Sequence, residues 1–400
     1  MALPPAVHAE AAELPTEALP AYLYDLPALR AHAAAIRAAL PERVELYYAA
    51  KANPDPALLT AMRDQVDGYE VSSGGELAHV RAAVPDARLA FGGPGKTPAE
   101  LSAALAAGVH RWHVESVAEL HQLAALATGP VDLLLRVNLP LRAGALDGVP
   151  LAMGGRPTPF GLDPEHLDHC LRLLAEPRFA RHLRLRGIHA HLASGLDAVG
   201  QLAVAEQLVD WAAGLPVAIE EVNIGGGMAV DYADPHARFD WSGYGAGLAS
   251  LLRRHPGLRL RIEPGRAITA YCGWYATEVL EVKRSHGEEF AVLRGGTHHL
   301  RTPAARGHDQ PFAVLPVEHW PHPWPRPTAE SGQVTLAGQL CTPKDVLARR
   351  ASVPALRTGD RVVFGLAGAY AWNISHHAFL MHPQPGFHLL GEQPVEGNDR

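Results

Sequence analysis

Lysine is rare in this chain, and the position of one lysine is the first indication of its chemistry. The 400 residues contain four lysines: Lys51, Lys96, Lys283 and Lys344. Lys51 follows the apolar run 46–50 and precedes Ala52-Asn53-Pro54, which predicts that it lies where a strand ends. A lysine amine can form an imine with a carbonyl compound, whereas arginine, which carries most of the positive charge here, cannot. The sequence therefore indicates carbonyl chemistry at Lys51, with an ordinary surface ion pair as the alternative.

A run of glycines and a later carboxylate suggest what acts together with Lys51. Gly225-Gly226-Gly227 follows an apolar stretch, and glycines let backbone N–H groups approach a phosphate closely. The alternative is a tight turn between a strand and a helix; the dinucleotide-binding pattern GxGxxG is absent. The next apolar stretch ends in Glu263-Pro264-Gly265-Arg266, which places a carboxylate beside a guanidinium.

Glu263 carries the most information about the reaction. A phosphorylated pyridine cofactor is a strong electron sink only while its ring nitrogen is protonated, and a carboxylate beside that nitrogen keeps it protonated. An ion pair with Arg266 or Arg136 is the alternative role for Glu263. His191 ends another predicted strand, where it could lie against the ring of such a cofactor; a packed or hydrogen-bonded core position is the alternative.

A repeating pattern of strands and helices must position these residues. From residue 26 to 268, short apolar runs alternate with amphipathic stretches such as 98–107, 116–127 and 199–213. Eight strands separated by helices pair in parallel and close into a barrel, whose C-terminal strand ends carry the active site. We therefore predict an α/β fold, a (β/α)8 TIM-type barrel, with a doubly wound sheet as the alternative. The predicted strands are Glu45–Ala49, Gly68–Val71, Leu89–Gly92, Arg111–Val114, Asp132–Val137, Arg186–His191, Glu221–Ile224 and Arg259–Glu263.

The chain beyond residue 268 has extended runs without long helical patterns, and this predicts a β domain. Extended runs there are punctuated by proline and glycine, and the proline-rich run 316–327 is predicted to be a surface loop. Ala21–Tyr24 is predicted as a strand that could join this domain. We therefore divide the chain into a barrel, residues 26–268, and a β-sandwich or β-barrel domain, residues 1–25 and 269–400. The predicted strands of the second domain are Trp274–Lys283, Phe290–Arg294, Val334–Leu340 and Arg361–Phe364.

Composition argues against several other classes of protein. The formal net charge of −7 disfavours nucleic-acid binding, which needs a basic surface. No run of about eighteen apolar residues suggests a membrane span, and the N-terminal segment lacks a signal pattern, so we expect a cytoplasmic protein. The cysteines lack CxxC spacing, and adjacent histidines such as 298–299 point apart on regular structure, so we predict neither a disulfide framework nor a metal site. Small-molecule metabolism is the expectation.

Six runs resemble the fold-type III decarboxylases that use pyridoxal 5′-phosphate (PLP), the family of ornithine and diaminopimelate decarboxylases. They occur in the family order and span most of the chain. The runs are Tyr48–Asn53, Glu70–Glu76, His191 with Ser194, Gly225–Gly227, Glu263–Arg266 and Gly368–Tyr370. The resemblance implies a PLP-binding (β/α)8 barrel, a C-terminal β domain, decarboxylation of an amino-acid-derived carboxylate, and a homodimer whose subunits share active sites.

The resemblance also implies roles for individual residues. Lys51 would form the imine with PLP, Glu263 would pair with the ring nitrogen, and His191 would stack on the ring. Cys341 would donate a proton to the product carbon, and Cys341 with Asp345 would lie in the segment that reaches into the partner's site. Glu70 and Arg136 would lie near the imine. The remaining cofactor-binding residues, most of them at the phosphate, would be Ser194, Gly226, Gly227, Gly265, Arg266 and Tyr370.

Longer runs resemble the siderophore-pathway branch of this family, which decarboxylates citryl-diaminopropionate. They are Phe91–Thr97, Met153–Gly161, Leu293–Thr297 and Ser375–His377. The implied substrate is an amino acid already condensed with citrate, a polycarboxylate. Its binding residues could be Arg156, Arg294, Thr297, His298 and Asp345, although ordinary surface roles are an equal alternative for the first four.

The chain departs from the family pattern at two points. Residues 191–194 read His-Leu-Ala-Ser where many members read His-x-Gly-Ser, which could alter the phosphate end. Cys341 is followed by Thr342-Pro343 rather than a Glu-Ser pair, which loosens the link to a free basic amino acid. Decarboxylation of a free diamino acid and a non-catalytic PLP-binding homologue stay open as alternatives. A racemase is disfavoured, because family racemases place arginine rather than a carboxylate at the ring nitrogen.

Overall fold

Capped helices connect the short apolar strands of the first part of the chain. Ser73, Thr97 and Ser116 each accept a hydrogen bond from the backbone N–H three residues later, which fixes the first turn of the following helix. Thr97 and Glu100 form a reciprocal capping box. Because each cap comes two to six residues after a strand ends, it makes the strand-to-helix turn sharp and leaves the C-terminal ends of the strands open.

The computed structural model describes residues 1–140, 151–152 and 154–391. Met153, the first residue of one family-like run, lies outside the described residues, as do 392–400 of the predicted β domain. The helices are α1 (Pro5–Glu13), α2 (Leu26–Ala39), α3 (Pro56–Met62), α4 (Gly74–Ala83), α5 (Pro98–Ala106), α6 (Val117–Leu126), α7 (Pro164–Ala175), α8 (Pro177–Ala180), α9 (Ala198–Ala213), α10 (Trp241–Arg254), α11 (Arg266–Thr269) and α12 (Thr302–Arg306).

Most strands fall where the apolar runs predict them, with ends shifted by up to three residues. They are β1 (Ala21–Asp25), β2 (Val44–Ala49), β3 (Gly68–Val71), β4 (Leu89–Phe91), β5 (Arg111–Val114), β6 (Val131–Arg136), β7 (Leu151–Ala152), β8 (Leu183–His189), β9 (Ala193–Ser194), β10 (Glu221–Asn223), β11 (Arg259–Ile262), β12 (Gly273–Ser285), β13 (Glu288–Leu293), β14 (Phe312–Leu315), β15 (Thr328–Ala329), β16 (Gln333–Ala337), β17 (Val346–Ser352), β18 (Leu356–Arg357), β19 (Arg361–Phe364) and β20 (Gly386–Leu390).

The chain divides into two compact units. One contains residues 30–229 and 238–268, and the other contains residues 1–29, 230–237 and 269–400. Segment 230–237, which the sequence placed within the barrel, is thus grouped with the chain ends. No helix in the described part of the chain is long and apolar enough to span a membrane.

The first unit contains a closed barrel of eight parallel strands, in the order β2-β3-β4-β5-β6-β8-β10-β11. The predicted (β/α)8 barrel is therefore confirmed and the doubly wound sheet is excluded. A buried charge network lies toward the N-terminal ends of the strands, where Arg261 contacts Glu45 at 2.5 Å and Glu221 at 3.1 Å. The opposite, C-terminal strand ends carry most of the predicted site residues. The barrel therefore separates a structural end from a candidate functional end.

The second unit is built on an eight-stranded sheet that contains β12 and the N-terminal strand β1. β1 pairs antiparallel with β12 and parallel with β20, so the predicted joining of Ala21–Tyr24 to the β domain is confirmed. Helix α1, which the sequence did not predict, buries Val7 and Ala11 in a core with Trp274 and Val363. The run 316–327 forms no helix and exposes Trp324, as predicted for a surface loop.

Candidate active site

Lys51 lies directly after β2, in a short 3₁₀ turn formed by Ala50–Ala52. Its Nζ donates to Glu70 Oε2 at 2.6 Å and to Ser72 Oγ at 3.3 Å. The lysine side chain is 46% exposed, whereas that of Glu70 is 6% exposed. Burial raises the pKa of Glu70, but the Lys51 ammonium and the hydrogen bonds outweigh burial and bring the pKa below its usual value. The arrangement therefore holds a reachable primary amine against a carboxylate at the C-terminal end of the barrel.

Lys96, the buried lysine of the described residues, has a structural role. The side chain of Lys96 donates to Glu119 Oε1 at 2.6 Å and to the carbonyls of Gly93 and His113 at 2.8 and 2.9 Å. These contacts tie the loop after β4 to β5 and enclose the ammonium. Lys51 is therefore the lysine that combines a polar, partly open position with the candidate functional end of the barrel.

Glu263 follows β11 and is almost fully buried. Its Oε1 accepts a hydrogen bond from the Asn223 amide at 2.7 Å. Burial, and then the charge of Glu70, raise the pKa of Glu263 to about 7, against the opposing effects of Asn223, Arg261 and Lys51. A carboxyl group with this pKa is poised to gain a negative charge when a cation is placed beside it.

His191 is held in one orientation by two hydrogen bonds. Its Nδ1 accepts from the backbone N–H of Gly226 at 3.1 Å, so its proton is on Nε2, which lies 3.2 Å from Ser194 Oγ and donates to it. Burial and the positive charges of Lys51 and Arg136 lower its pKa to about 3. The ring is therefore neutral and fixed, as suits a residue that stacks on an aromatic cofactor.

The three glycines are required mainly by close packing. A Cβ at Gly226 would lie 2.3 Å from the carbonyl oxygen of Glu263, and one at Gly227 would lie 2.2 Å from that of Ala193. Gly225 and Gly227 also adopt positive φ angles of 75° and 97°. The N–H groups of Gly225 and Gly226 are used by Asn223 and His191, while the N–H of Gly227 has no partner among the described residues. The loop therefore fits between two strand ends and leaves one donor available.

The loop that carries Glu263 also packs against the loop that carries Lys51. Pro264 accepts a hydrogen bond from the N–H of Ala49 at 3.2 Å, and a Cβ at Gly265 would lie 2.7 Å from the Cβ of Ala52. Arg266 begins α11 directly after this contact. The glycine at 265 thus permits the close approach that brings the two functional loops together.

Arg136 ends β6 and is buried. It donates to Glu115 Oε1 at 2.6 Å, and its guanidinium lies 5.1 Å from the centre of the Phe160 ring. Arg156 lies between β7 and α7, and it lines a cavity of about 620 Å³ together with Asn138 and Thr158. Arg136 and Arg156 therefore lie near the C-terminal end of β6, where Asn138 donates to the carbonyl of Arg156 at 3.0 Å.

The remaining predicted residues lie in the second unit. Cys341 is exposed, while Cys170 and Cys272 are buried. Asp345 is buried: its Oδ1 accepts from the N–H and hydroxyl of Thr297 at 2.6 and 2.7 Å, and its Oδ2 accepts from the N–H of Leu340 at 2.8 Å. Both oxygens therefore hold the loop that presents Cys341, a role that sequence reasoning did not assign to Asp345.

Three other predicted residues of this unit are an ion-paired arginine, a tyrosine with a positive φ angle and a buried histidine. Arg294 is ion-paired with Glu278, and Tyr370 has a positive φ of 50°. His298 is fully buried, and neither of its ring nitrogens has a hydrogen-bond partner among the described residues. Burial lowers the pKa of His298 to about 4. Substrate contacts of Arg294, Thr297, His298 and Asp345 stay predictions.

Sequence reasoning missed the buried polar partners of Glu263. His113 on β5 and His189 on β8 place a ring nitrogen 3.6 and 3.5 Å from its two oxygens. Two histidines and a carboxylate could constitute a metal site by composition. However, their rings stack with centres 4.1 Å apart and planes inclined by only 18°, so the in-plane lone pairs cannot converge on one ion. This geometry favours an organic partner for Glu263 over a metal.

Comparison with known proteins identifies the family. The family model described as "Pyridoxal-dependent decarboxylase, pyridoxal binding domain" matches residues 26–270. The chain is 39% identical over 380 residues to the 2-[(L-alanin-3-ylcarbamoyl)methyl]-2-hydroxybutanedioate decarboxylase of Staphylococcus aureus, covering 92% of this chain and 93% of that protein. It is 32% identical to the L-glutamyl-[BtrI acyl-carrier protein] decarboxylase of Niallia circulans, covering 92% of this chain and 87% of that protein.

Solved structures agree on the fold. The crystal structure of diaminopimelate decarboxylase from Helicobacter pylori complexed with L-lysine has a TM-score of 0.79 and 22% identity, covering 93% of this chain and 91% of that one. The lysine/ornithine decarboxylase of Vibrio vulnificus, complexed with putrescine, has a TM-score of 0.77 and 22% identity, covering 96% and 97%.

The residues at the candidate site fit the cofactor that the family uses. PLP requires a reachable amine, a carboxylate for its ring nitrogen, a flat neutral surface and donors for its phosphate. The structure supplies the amine of Lys51, the buried carboxyl of Glu263, the fixed neutral ring of His191, and the N–H of Gly227, which has no partner in the described part of the chain. This chain belongs to the family of pyridoxal-dependent decarboxylases and is a PLP-dependent carboxy-lyase.

Proposed function

We propose that this enzyme decarboxylates citryl-L-2,3-diaminopropionate, a siderophore intermediate, to the citryl-diaminoethane amine and CO2. The observation that carries the proposal is the 39% identity to the Staphylococcus aureus enzyme, whose name describes this citryl amino acid and whose length is matched almost completely. The family-like runs that distinguish this branch include Arg156, Arg294 and Thr297. The substrate would be a polycarboxylate with one free amino-acid end.

A binding region for the citryl carboxylates is supported by the cavity near Arg156. Asn138, Thr158 and Ser116 line it together with Arg156, and each carries a hydrogen-bond donor. Guanidinium and hydroxyl groups are suited to carboxylates. We propose Arg156 as the main carboxylate anchor on the barrel, with Arg294, Thr297 and His298 of the second unit as further candidates. Asp345 is itself a carboxylate, so we propose it as a contact for another part of the substrate.

The cofactor would be held by residues at the C-terminal end of the barrel. Lys51 would hold it covalently, Glu263 would pair with its ring nitrogen, and His191 would lie against its ring. The rest of the proposed set comprises Glu70, Arg136, Ser194, Gly226, Gly227, Gly265, Arg266 and Tyr370. Bound PLP supplies an electron sink for the electron pair of the broken bond between the α-carbon and the carboxylate.

The chain's own groups perform the proton transfers. Glu70 Oε2 holds the Lys51 ammonium at 2.6 Å, which keeps the amine beside the reacting centre when it is not engaged. As CO2 leaves, the electron pair must end on a carbon–hydrogen bond, and the thiol of Cys341 would donate that proton. The thiolate would then regain a proton from water. Asp345 supports this step by fixing the loop of Cys341.

A homodimer with shared sites is part of the proposal. The second unit exposes a group of large apolar side chains, Ile374, Phe379, Leu380 and Met381, with Met381 89% exposed. A second copy of the chain would cover such a patch. We propose that residues 26–268 form the PLP-binding domain and that 1–25 with 269–400 form the β domain that contributes Cys341 to the partner's site. The thiols are free, which suits the reducing cytoplasm that we propose as its location.

The substrate proposal predicts a strong preference among candidate amino acids. Purified holoenzyme should release CO2 from citryl-diaminopropionate with a kcat/KM at least about a hundredfold above that for diaminopimelate or ornithine, because a site built for carboxylates discriminates against substrates that leave its donors unpaired. CO2 release measured in parallel for each compound tests this. A preference for diaminopimelate or ornithine would contradict the citryl substrate, and release from none would favour a non-catalytic homologue.

The shared-site proposal predicts complementation between two inactive variants. Lys51→Ala and Cys341→Ala should each be nearly inactive alone, because one lacks the cofactor lysine and the other the proton donor. Dimers formed by mixing the two chains contain one native site, so activity should recover to about a quarter of the wild-type value at most. A Cys170→Ala chain, whose buried thiol has no assigned role, is the control. Two variants that never recover activity when mixed, despite exchanging subunits, would contradict shared sites.

A further inference from the structure

Glu263 is surrounded by a layer of polar side chains that the proposed mechanism does not use. His113, His189 and Asn223 come from strands β5, β8 and β10, and all three are buried. Because these strands are parallel, their ends bring the side chains together beneath Glu263. Buried polar groups are costly unless they are satisfied, so this layer calls for a functional explanation.

Asn223 has its amide orientation fixed by the glycine loop. Its Oδ1 accepts from the N–H of Gly225 at 2.9 Å, which directs Nδ2 toward Glu263 Oε1, 2.7 Å away, and toward His113 Nε2, 3.2 Å away. His113 Nε2 is therefore an acceptor, and the proton of this imidazole is on Nδ1. One side chain thus links the glycine-rich loop, the carboxyl group and a histidine.

The two histidines supply no hydrogen bond to the second oxygen of Glu263. His189 stacks on His113, and neither ring nitrogen of His189 has a hydrogen-bond partner among the described residues. Its Nε2 lies 3.5 Å from Glu263 Oε2, longer than an ordinary hydrogen bond. Burial brings the pKa values of both histidines well below the usual range, so the pair is neutral. Oε2 is therefore left without a donor from the described residues.

We propose that Asn223 gives the two oxygens of Glu263 different roles. Its amide binds Oε1, which leaves Oε2 for the protonated ring nitrogen of the cofactor. The stacked His113 and His189 form a neutral wall that keeps the carboxyl in this orientation without competing for its charge. Asn223 is a positioning residue, and it also connects the glycine loop to the ring-nitrogen end of the site. The assignment of Oε2 rests on the proposed cofactor role of Glu263.

The other charged groups that act on Glu263 do not explain the orientation. Glu70 disfavours its charge, while Arg261 and Lys51 favour it, and none of the three donates a hydrogen bond to it. Asn223 is the described residue that does. Removing the Asn223 amide should therefore change both the pKa of Glu263 and the direction in which its carboxyl group points.

The test measures the pKa of Glu263 in the cofactor-free protein by NMR of ¹³C-labelled glutamate carboxyls, with Glu263→Gln identifying the signal. Asn223→Leu, or Asn223→Ala if the larger side chain impairs folding, should raise this pKa by about one unit, because a donor to the charged form is lost. The same variants should bind PLP about tenfold more weakly in a fluorescence titration. Asn138→Leu is the matched control, since its amide also bridges a loop, to Gly155 and Arg156, without contacting Glu263.

The outcomes separate this inference from the proposed function. A Glu263 pKa that is unchanged in both Asn223 variants, or raised equally by Asn138→Leu, would overturn the role of Asn223. A raised pKa with unchanged PLP affinity would overturn the assignment of Oε2. Wild-type protein that binds no PLP would contradict the proposed cofactor role and Oε2 assignment, whereas the effect of Asn223 on the pKa is measured without cofactor.

Discussion

Replacing Lys51 with alanine is expected to reduce decarboxylation at least about a thousandfold, the largest loss that we predict for one side chain. The amine lies at the candidate functional end of the barrel, 2.6 Å from Glu70, and no other nucleophilic amine shares that position among the described residues. CO2 release by holoenzyme and variant at saturating substrate measures the effect. The loss should fall on kcat, since the amine acts on the reacting groups rather than on the citryl end.

Two further lysine variants control for charge. Lys51→Arg keeps a cation beside Glu70 but cannot form a covalent link to a carbonyl group, so it should be as inactive as the alanine variant while leaving the fold intact. Lys283→Ala removes a half-exposed lysine of the second unit and should have no effect. Substantial turnover by Lys51→Arg would show that charge alone suffices and would contradict the assigned role.

Glu263→Gln is expected to stabilise the cofactor-free protein and to remove most of the activity of the holoenzyme. The folded-state pKa of Glu263 is about 7 and its ordinary value is 4.5. The folded protein therefore binds the proton of the Glu263 carboxyl more tightly than the unfolded chain does. The stability that this proton provides is lost as pH rises from 4.5 through 7. Because glutamine cannot ionise, the variant should be more stable by about 3 kcal/mol above pH 7, with no difference below about pH 4.5.

Denaturant unfolding of the two cofactor-free proteins across this pH range measures the difference. In holoenzyme assays the same variant should lose at least about a hundredfold in kcat, because a neutral amide cannot hold a proton on the ring nitrogen. Glu45→Gln is the control of opposite sign: burial raises the pKa of this carboxyl, but the paired Arg261 outweighs burial and brings the pKa below its usual value, so neutralising Glu45 should destabilise the protein instead. A Glu263→Gln protein that is less stable at pH 8 would contradict the account.

The barrel could be predicted because its signal is local. Each strand is a short apolar run and each following helix has its own cap, so β3 and β5 begin and end where the sequence predicts. β8 ends two residues before His191, which frees that side chain to bond with Gly226 and Ser194 in an irregular segment. Lys51 and Glu263 are 212 positions apart, and each could be singled out by its residue type and its place after a predicted strand. The family-like runs supplied the remaining site residues.

The layer around Glu263 could not be predicted in the same way. His113 and Asn223 are the third residues of short strands, and their contact depends on barrel closure and on the stagger between β5 and β10, which no periodicity reveals. The packing role of the three glycines was also hidden, because it depends on how closely the strand ends approach. Helix α1 was missed because it is short and has only a weak apolar face, and contacts with distant strands stabilise it.

Reductive trapping shows whether Lys51 is the residue that holds PLP. The protein is incubated with PLP, treated with borohydride to make the carbon–nitrogen linkage permanent, digested, and analysed by mass spectrometry. We expect one modified lysine per chain, at Lys51, and loss of that modification in Lys51→Ala. Modification at Lys96, Lys283 or Lys344 in place of Lys51, or at no lysine, would contradict it.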